Sequence, residues 1–282
     1  MEIRCLGDIG FDQLFEAFEA AFSDYEISFD KEEVRAMLIR RGYDPRLSFG
    51  AFDSGKIVSF TLNGIGLYYG LPTAYDTGTG TVAAYRGKHL AGKIFNHSLP
   101  YLKEAGIRQY LLEVLQSNQM AINVYQRMRF GITREFDCFR QATAEVRVTS
   151  LNDSICSIKE IPVDIVKGSG DFCDFRASWQ NSIESIERGR AGLRCLGAFV
   201  GDAFAGYCVF DPLSGDISQI AVKKCYRRKG IASQLPAKAL DGMRPESIKV
   251  LNIPADDTAL HSFLSRRNIP AANSQYEMIL PL

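Results

Sequence analysis

What the chain lacks narrows it first. Lysine and arginine together number 33 and aspartate and glutamate 33, so the 282 residues carry no formal net charge at neutral pH. Without an excess of either sign there is no electrostatic footprint for bulk nucleic acid or for an anionic membrane, and a small partner fits better. The seven cysteines, at 5, 138, 156, 173, 195, 208 and 225, contain no C-x-x-C pair and no regular spacing. An odd, scattered set reads as reduced core thiols and argues against a disulfide framework or a zinc site, so no metal is expected. The opening Met1-Glu2-Ile3-Arg4-Cys5 has no apolar signal core, and no run approaches the length of a membrane span. The expectation is a cytoplasmic protein. The single tryptophan, Trp179, sits among helix-spaced residues and reads as core or interface.

What is present follows two hydrophobic periods. Phe11, Leu14, Phe15, Phe18 and Phe22 lie at helical spacing. A second helix is predicted after Asp30, with Glu33 completing a capping box, and Gly42 and Pro45 stop it. The period then becomes two: 47–52, a turn at 53–56 and 57–62 predict a hairpin. Residues 73–84 form another extended run. There, simple alternation places Thr77, Thr79 and Thr81 on one face and Asp76, Gly78 and Gly80 on the other, where two glycines invite close approach of a ligand or a backbone. A helix carrying Leu90, Ile94, Phe95, Leu99 and Leu102 follows, with a kink expected at Pro100. Strand 109–115, a helix with Asn118, Ala121, Ile122 and Tyr125, and strand 136–140 close the first half. Residues 141–153 lose apolar periodicity and read as a linker.

The second half repeats the first. Gly50-Ala51-Phe52 recurs as Gly197-Ala198-Phe199, Tyr85 as Tyr226 and Ala121 as Ala259, in the same order with offsets of 147, 141 and 138. Ordered matches on equivalent predicted elements argue for a tandem duplication whose offsets change by loop deletion. The second copy is predicted as strand 155–161, helical region 171–188, hairpin 193–210, strand 216–222, loop and helix 227–243, strand 247–253, helix 257–266 and strand 275–280. The expected domains are 1–143 and 150–282.

Two short stretches stand at the same place in each half: Tyr85-Arg86-Gly87-Lys88-His89-Leu90-Ala91 and Tyr226-Arg227-Arg228-Lys229-Gly230-Ile231-Ala232. Each follows a strand and opens an amphipathic helix, where unsatisfied N–H groups and the helix dipole favour a phosphate. Neither has a Walker lysine followed by Ser or Thr. The stretches resemble the Q/R-x-x-G-x-G/A pyrophosphate loop of the GNAT acetyltransferase superfamily, and Asn118, Ala121 and Tyr125 resemble its N-x-x-A-x-x-x-Y segment. His89 departs from the pattern where glycine is usual, as does Arg129 before Phe130.

The resemblance implies two tandem GNAT-like α/β domains, each a mixed twisted sheet flanked by helices, with acetyl-CoA wedged where the strand before the loop and the strand after its helix part. It implies an acetyl-CoA-dependent N-acetyltransferase acting on an amine by direct attack, and the neutral overall charge and the lack of an acidic run favour a small amine over a basic protein tail. Thr81, Val82, Arg86, Gly87, Lys88, His89, Leu90, Ala91, Asn118 and Ala121 would bind the cofactor. Tyr125 would protonate the departing thiolate, and Asp76 or Glu113 would take the amine proton. The second half has Asp256, Ala259 and Phe263 at the spacings of Asn118, Ala121 and Tyr125, so it keeps a loop, Arg227, Arg228, Lys229, Gly230, Ile231 and Ala232, without the acid. Two alternatives stand beside this reading: the second domain is the active one, or the chain binds CoA without turnover as a sensor or scaffold. A monomer and a homodimer are both compatible.

Overall fold

The computed structural model describes every residue except 25–28, 153 and 244, so Asp153, the end of the predicted linker, lies outside the described residues. The chain divides into two compact units, neither continuous in sequence. The first comprises residues 1–113, 123–132 and 277–282, and the second 114–122 and 133–276.

The first unit opens with β1 (Glu2–Cys5), α1 (Phe11–Phe22) and α2 (Lys31–Arg41). The capping box at α2 forms as its sequence dictates: Asp30 accepts from the Glu33 N–H and Glu33 reciprocates, each at 2.8 Å. Gly42, at φ +78°, ends the helix in the left-handed conformation. Strands β2 (Phe49–Asp53), β3 (Lys56–Tyr68), β4 (Leu71–Thr81) and β5 (Gln109–Leu115) follow, with α3 (Leu90–Glu104) between the last two. The order is β1-β2-β3-β4-β5, antiparallel except for the β4–β5 pair. Leu14, Phe18 and Ala21 of α1 pack against Phe60 and Leu62 on one face, and Leu90 and Ile94 of α3 pack on Phe49, Ala51 and Val58 of the other. Strand β3 runs six residues beyond its predicted end, because Tyr69 and Gly70, both at positive φ, make a tight second hairpin. Helix α3 runs on through Pro100 without interruption. α4 (Gln119–Arg127) has its last five residues in this unit, and β6 (Gly131–Ala142) its first two. The chain terminus also belongs here: Tyr68 donates its hydroxyl to Glu277 at 2.7 Å, and the Leu282 N–H donates to the Arg108 carbonyl at 2.9 Å.

The second unit has β7 (Ser157–Glu160), α5 (Val163–Lys167), α6 (Ile183–Gly189), β8 (Arg194–Val200), β9 (Ala203–Phe210) and β10 (Ile217–Val222). It continues through α7 (Ile231–Ala239), β11 (Ser247–Pro254), α8 (Thr258–Arg266) and most of β12 (Ala271–Pro281). Strands β10-β9-β8-β7 form one antiparallel sheet, and β11 pairs antiparallel with β6. The predicted helical region 171–188 is mostly irregular. Only Ile183–Gly189 is α-helical, because the preceding glycines, serines and aspartates favour turns over helix. Trp179 is core, 1 % exposed.

Simple alternation along β4 fails at one point. Leu62 pairs with Gly78 but Asn63 pairs with Asp76, which leaves Thr77 as an extra, bulged residue. Asp76 therefore shares a face with Thr79 and Thr81, not with Gly78 and Gly80. The approach invited by the glycines is made by the protein itself: a Cβ on Gly80 would lie 2.6 Å from the Phe60 ring and 3.0 Å from Ala21. Gly80→Ala is expected to destabilise the protein by about 1–3 kcal/mol, while Gly131→Ala, whose Cβ meets nothing within 4 Å, stays within about 0.5 kcal/mol of wild type. Urea denaturation of both variants checks this.

Candidate active site

The site begins where two strands part. β4 and β5 pair in parallel only at Thr73, Ala74 and Tyr75 against Gln109, Tyr110 and Leu111. Past that point β4 continues for six residues without β5 beside it, which opens the notch expected between the strand before the loop and the strand after its helix.

The Thr77 bulge decides what lines this notch. Asp76 lies on the face of Asn63 and Tyr110, its carboxylate accepting from the Gly78 N–H at 3.0 Å and from the Thr79 hydroxyl at 2.8 Å. Loss of solvation pushes the Asp76 carboxyl up to about 6; the two hydrogen bonds and the Arg41 charge oppose this without cancelling it. Tyr125 is close enough to feel Asp76. Burial, then the Asp76 charge, raises the phenol well above its ordinary value, so it stays protonated. Tyr110, on the same face, donates to Asn63 Oδ1 at 2.5 Å.

Local sequence places Tyr125. Asn118 caps α4 by accepting from the Ala121 N–H at 3.1 Å. At the other end the Phe130 N–H returns to the Tyr125 carbonyl at 3.0 Å, with Arg129 left-handed at φ +70°. That turn brings the Phe130 ring to 5.6 Å from Tyr125 and 5.8 Å from Tyr110. Asn118 and Ala121 lie on the part of α4 that belongs to the second unit.

Glu113 is separated from this pair. It stands two residues beyond Leu111, the partner of Tyr75, on the opposite face of β5, and accepts from the Tyr75 hydroxyl at 3.1 Å. The two predicted bases therefore serve different sides of the sheet.

The loop leaves β4 at Thr81, whose hydroxyl meets that of Ser59 at 2.7 Å, and passes Val82 and a short 3₁₀ turn. Gly87 (φ +78°) and His89 (φ +58°) are both left-handed; Leu90 is buried at the start of α3, with Ala91 beside it. Lys88 is exposed and lies over the Tyr85 ring at 4.5 Å. His89 makes no side-chain cap, so the first N–H groups of α3 remain available to an anion. The Arg86 guanidinium is engaged elsewhere. It donates to the Thr81 carbonyl at 3.1 Å, to the Ala21 carbonyl at 2.9 Å and to both carboxylate oxygens of Asp24 at 2.5 and 2.7 Å. Arg86 in turn holds the Asp24 carboxyl below its usual range.

The second unit repeats the frame and changes its chemistry. Arg228 (φ +63°) and Gly230 (φ +87°) take the two left-handed positions, Lys229 lies 5.3 Å over Tyr226, Ile231 is buried, and Ala232 follows it in α7. Arg227 donates to the Val222 and Phe172 carbonyls and to Asp174 at 2.5–2.8 Å. β10 is bulged at Ser218, and Asp216 meets Lys249 of β11 through a single parallel bridge. The cavity there is mostly apolar, lined by Phe175, Ile217, Ile220, Val250, Ile253 and Leu260 among others. Ile217 stands at the place of Asp76. The α8 register corrects the predicted counterpart of Tyr125: Asp257, not Asp256, caps the helix, and Ile269 returns to Leu264 as Phe130 does to Tyr125. The equivalent residue is Leu264, which like Phe263 has no proton to give.

Sequence reasoning missed Asn63, Tyr110, Asp24 and Asp174. The first two had a trace in the β3 and β5 patterns. The two aspartates lie 62 and 53 residues before their arginines, so no common spacing links them. Among the described residues no cluster of His, Cys, Asp and Glu could hold a metal ion, and no helix is long and apolar enough to cross a membrane.

The sequence pattern of the acetyltransferase (GNAT) family matches residues 11–130 and again 166–267, one match in each half. Among curated proteins, none matches the chain in sequence. Among solved structures, a tandem GNAT protein from the clavulanic acid biosynthesis pathway, 12 % identical, superposes with a TM-score of 0.74 over 99 % of this chain and 98 % of its own. A GCN5-related N-acetyltransferase from Sphaerobacter thermophilus, 10 % identical, has a TM-score of 0.70 over 99 % and 95 % of the two chains. At such identities the superpositions establish the fold, and the paired family matches establish the lineage: the chain belongs to the acetyltransferase (GNAT) family and carries its domain twice.

Proposed function

We propose that the protein is an acetyl-CoA-dependent N-acetyltransferase whose catalysis resides in the first unit, and whose acceptor is a small amine. The observation that carries this reading is that Asp76, the register partner of Asn63, and Tyr125, packed through Phe130 on Tyr110, reach the same Tyr110–Asn63 pair beside the strand opening, with hydrophobic residues at both equivalent positions of the second unit. The fit of acetyl-CoA rests on the loop, where two left-handed residues precede the free amide donors of a 15-residue helix. Acetyl-CoA supplies the thioester, and the residues supply proton traffic.

A carboxylate titrating near 6 is ionised at neutral pH yet more basic than a solvated aspartate, so Asp76 suits removal of a proton from the attacking ammonium. Nitrogen bonds to the acetyl carbon and sheds its second proton to solvent, the carbon–sulfur bond breaks, and Tyr125 gives its proton to the sulfur. Because Asp76 lies near Tyr125, the proton taken from the amine can return to the phenolate, which restores both groups. Asp76 is then the neutral acid and Tyr125 the anion, and the phenolate, whose proton affinity is raised well above that of the carboxyl, takes the proton through water. Glu113 lies on the other face with Tyr75, and Asn118 retains its capping role. The second unit, without acid or base at these positions, serves binding or structure.

Tyr125→Phe is expected to lower kcat about 100-fold with little change in KM for acetyl-CoA, measured by thiol release. Undiminished turnover would remove Tyr125 from the mechanism and return the second unit to consideration. In the wild type, kcat/KM should rise with pH through an apparent pKa near 6, and this limb should vanish in Asp76→Asn; a limb that survives assigns the base elsewhere.

Stability gives an independent reading of Asp76. Its folded pKa of about 6 lies above the ordinary carboxyl value of 3.8, so the folded state holds the proton more tightly and the wild type loses stability as pH rises from 3.8 through 6. Relative to wild type, Asp76→Asn should therefore gain stability between pH 4 and pH 8, by at most about 3 kcal/mol. Urea denaturation at both pH values measures the difference.

A further inference from the structure

We infer that Asp24 is a positioning residue for acetyl-CoA: it latches Arg86 to the end of α1, so that the loop's backbone donors, and not the Arg86 side chain, meet the pyrophosphate. This rests on the acetyl-CoA reading above. Arg86 ties three pieces of chain together, since its guanidinium reaches the Thr81 carbonyl at the end of β4, the Ala21 carbonyl in the last turn of α1, and Asp24 just past that helix. A planar guanidinium bound bidentately by a carboxylate is fixed in orientation as well as charge, and a helix C-terminus favours a cation.

Two observations make this more than one surface ion pair. The second unit builds the same latch from different sequence: Arg227 bonds the Val222 carbonyl at 2.8 Å, the Phe172 carbonyl at 2.7 Å and Asp174 at 2.5 Å, although Phe172 closes a three-residue 3₁₀ turn with Asp174 just past it, where the first unit has a long helix. In addition, each loop carries one non-glycine residue in the left-handed region, His89 in the first and Arg228 in the second. Such a residue costs about 1–2 kcal/mol, so each loop needs a restraint to stay in its anion-binding form. The latch arginine stands three residues before the strained position in the first loop and immediately before it in the second.

The test separates a latch from a phosphate ligand because removing the carboxylate has opposite consequences. If Arg86 is a latch, Asp24→Asn loosens the loop and weakens acetyl-CoA binding. If Arg86 is a ligand, the same change frees a full positive charge and binding holds or tightens. With both side chains near half exposure, solvent limits the effect, and about fivefold is expected in calorimetric titration with acetyl-CoA. KM should rise by the same factor with kcat unchanged, since the loop is gripped equally in ground and transition states. Asp24→Glu should recover most of the loss, and Glu187→Gln, which breaks the surface pair with Lys167, should leave kcat and KM unaltered. Unchanged or tighter binding by Asp24→Asn overturns the latch. Amide exchange on the whole chain judges it without ligand: faster exchange at the hydrogen-bonded amides of Tyr85, Arg86 and Lys93 but not at those of Tyr226, Arg227 and Ser233 in Asp24→Asn supports it, and equal protection overturns it. A wild-type chain that takes up no acetyl-CoA would refute the functional reading alone, because the exchange result still decides the latch.

Discussion

One extra residue in one strand organises the candidate site. The bulge at Thr77 turns Asp76 away from the glycine face that packs on Phe60 and Ala21 and toward Asn63, Tyr110 and Tyr125. A regular β4 would point Asp76 into the core beneath α1, where an ionised carboxylate has no partner. With the bulge, the Gly78 N–H and the Thr79 hydroxyl hold the carboxylate, and partial loss of water raises its proton affinity into a useful range. The price is local stability, a trade common to groups tuned for chemistry.

The duplicated frame separates what the fold requires from what the chemistry requires. Both units keep the bulged strand, the loop with two left-handed residues, the arginine bound to two carbonyls and an aspartate, and the following helix with its cap and reversed end. They differ at the positions where protons would move, with Ile217 for Asp76 and Leu264 for Tyr125. The loops are complementary in their imperfection: glycine takes the first left-handed position in one and the second in the other.

Much of the fold was legible because its cues are local. The α2 capping box, the apolar face of α1 and the strand-loop-helix order of both halves depend on residues a few positions apart, and they form as their spacing dictates. The errors also have local causes. Period-two alternation has no term for a bulge, so Asp76 was assigned to the wrong face. The 138-residue offset aligned Phe263 with Tyr125 because Ala259 matched Ala121 by type, whereas the caps of α8 set the register one residue later.

By itself the sequence determined that two basic, glycine-bearing loops follow two strands and open helices, that a tyrosine stands at a fixed place on the helix after the fifth strand, and that its counterpart has no acidic proton. These are properties of short windows, written in residue type and spacing. Only the tertiary structure decided that Asp76 and Tyr125 approach the same Tyr110–Asn63 pair while Glu113 faces the other way with Tyr75, and that Arg86 is held by Asp24. Those outcomes depend on strand register and on side chains that meet across 38 to 62 residues of chain. No local pattern encodes such meetings, because packing of the whole unit selects them.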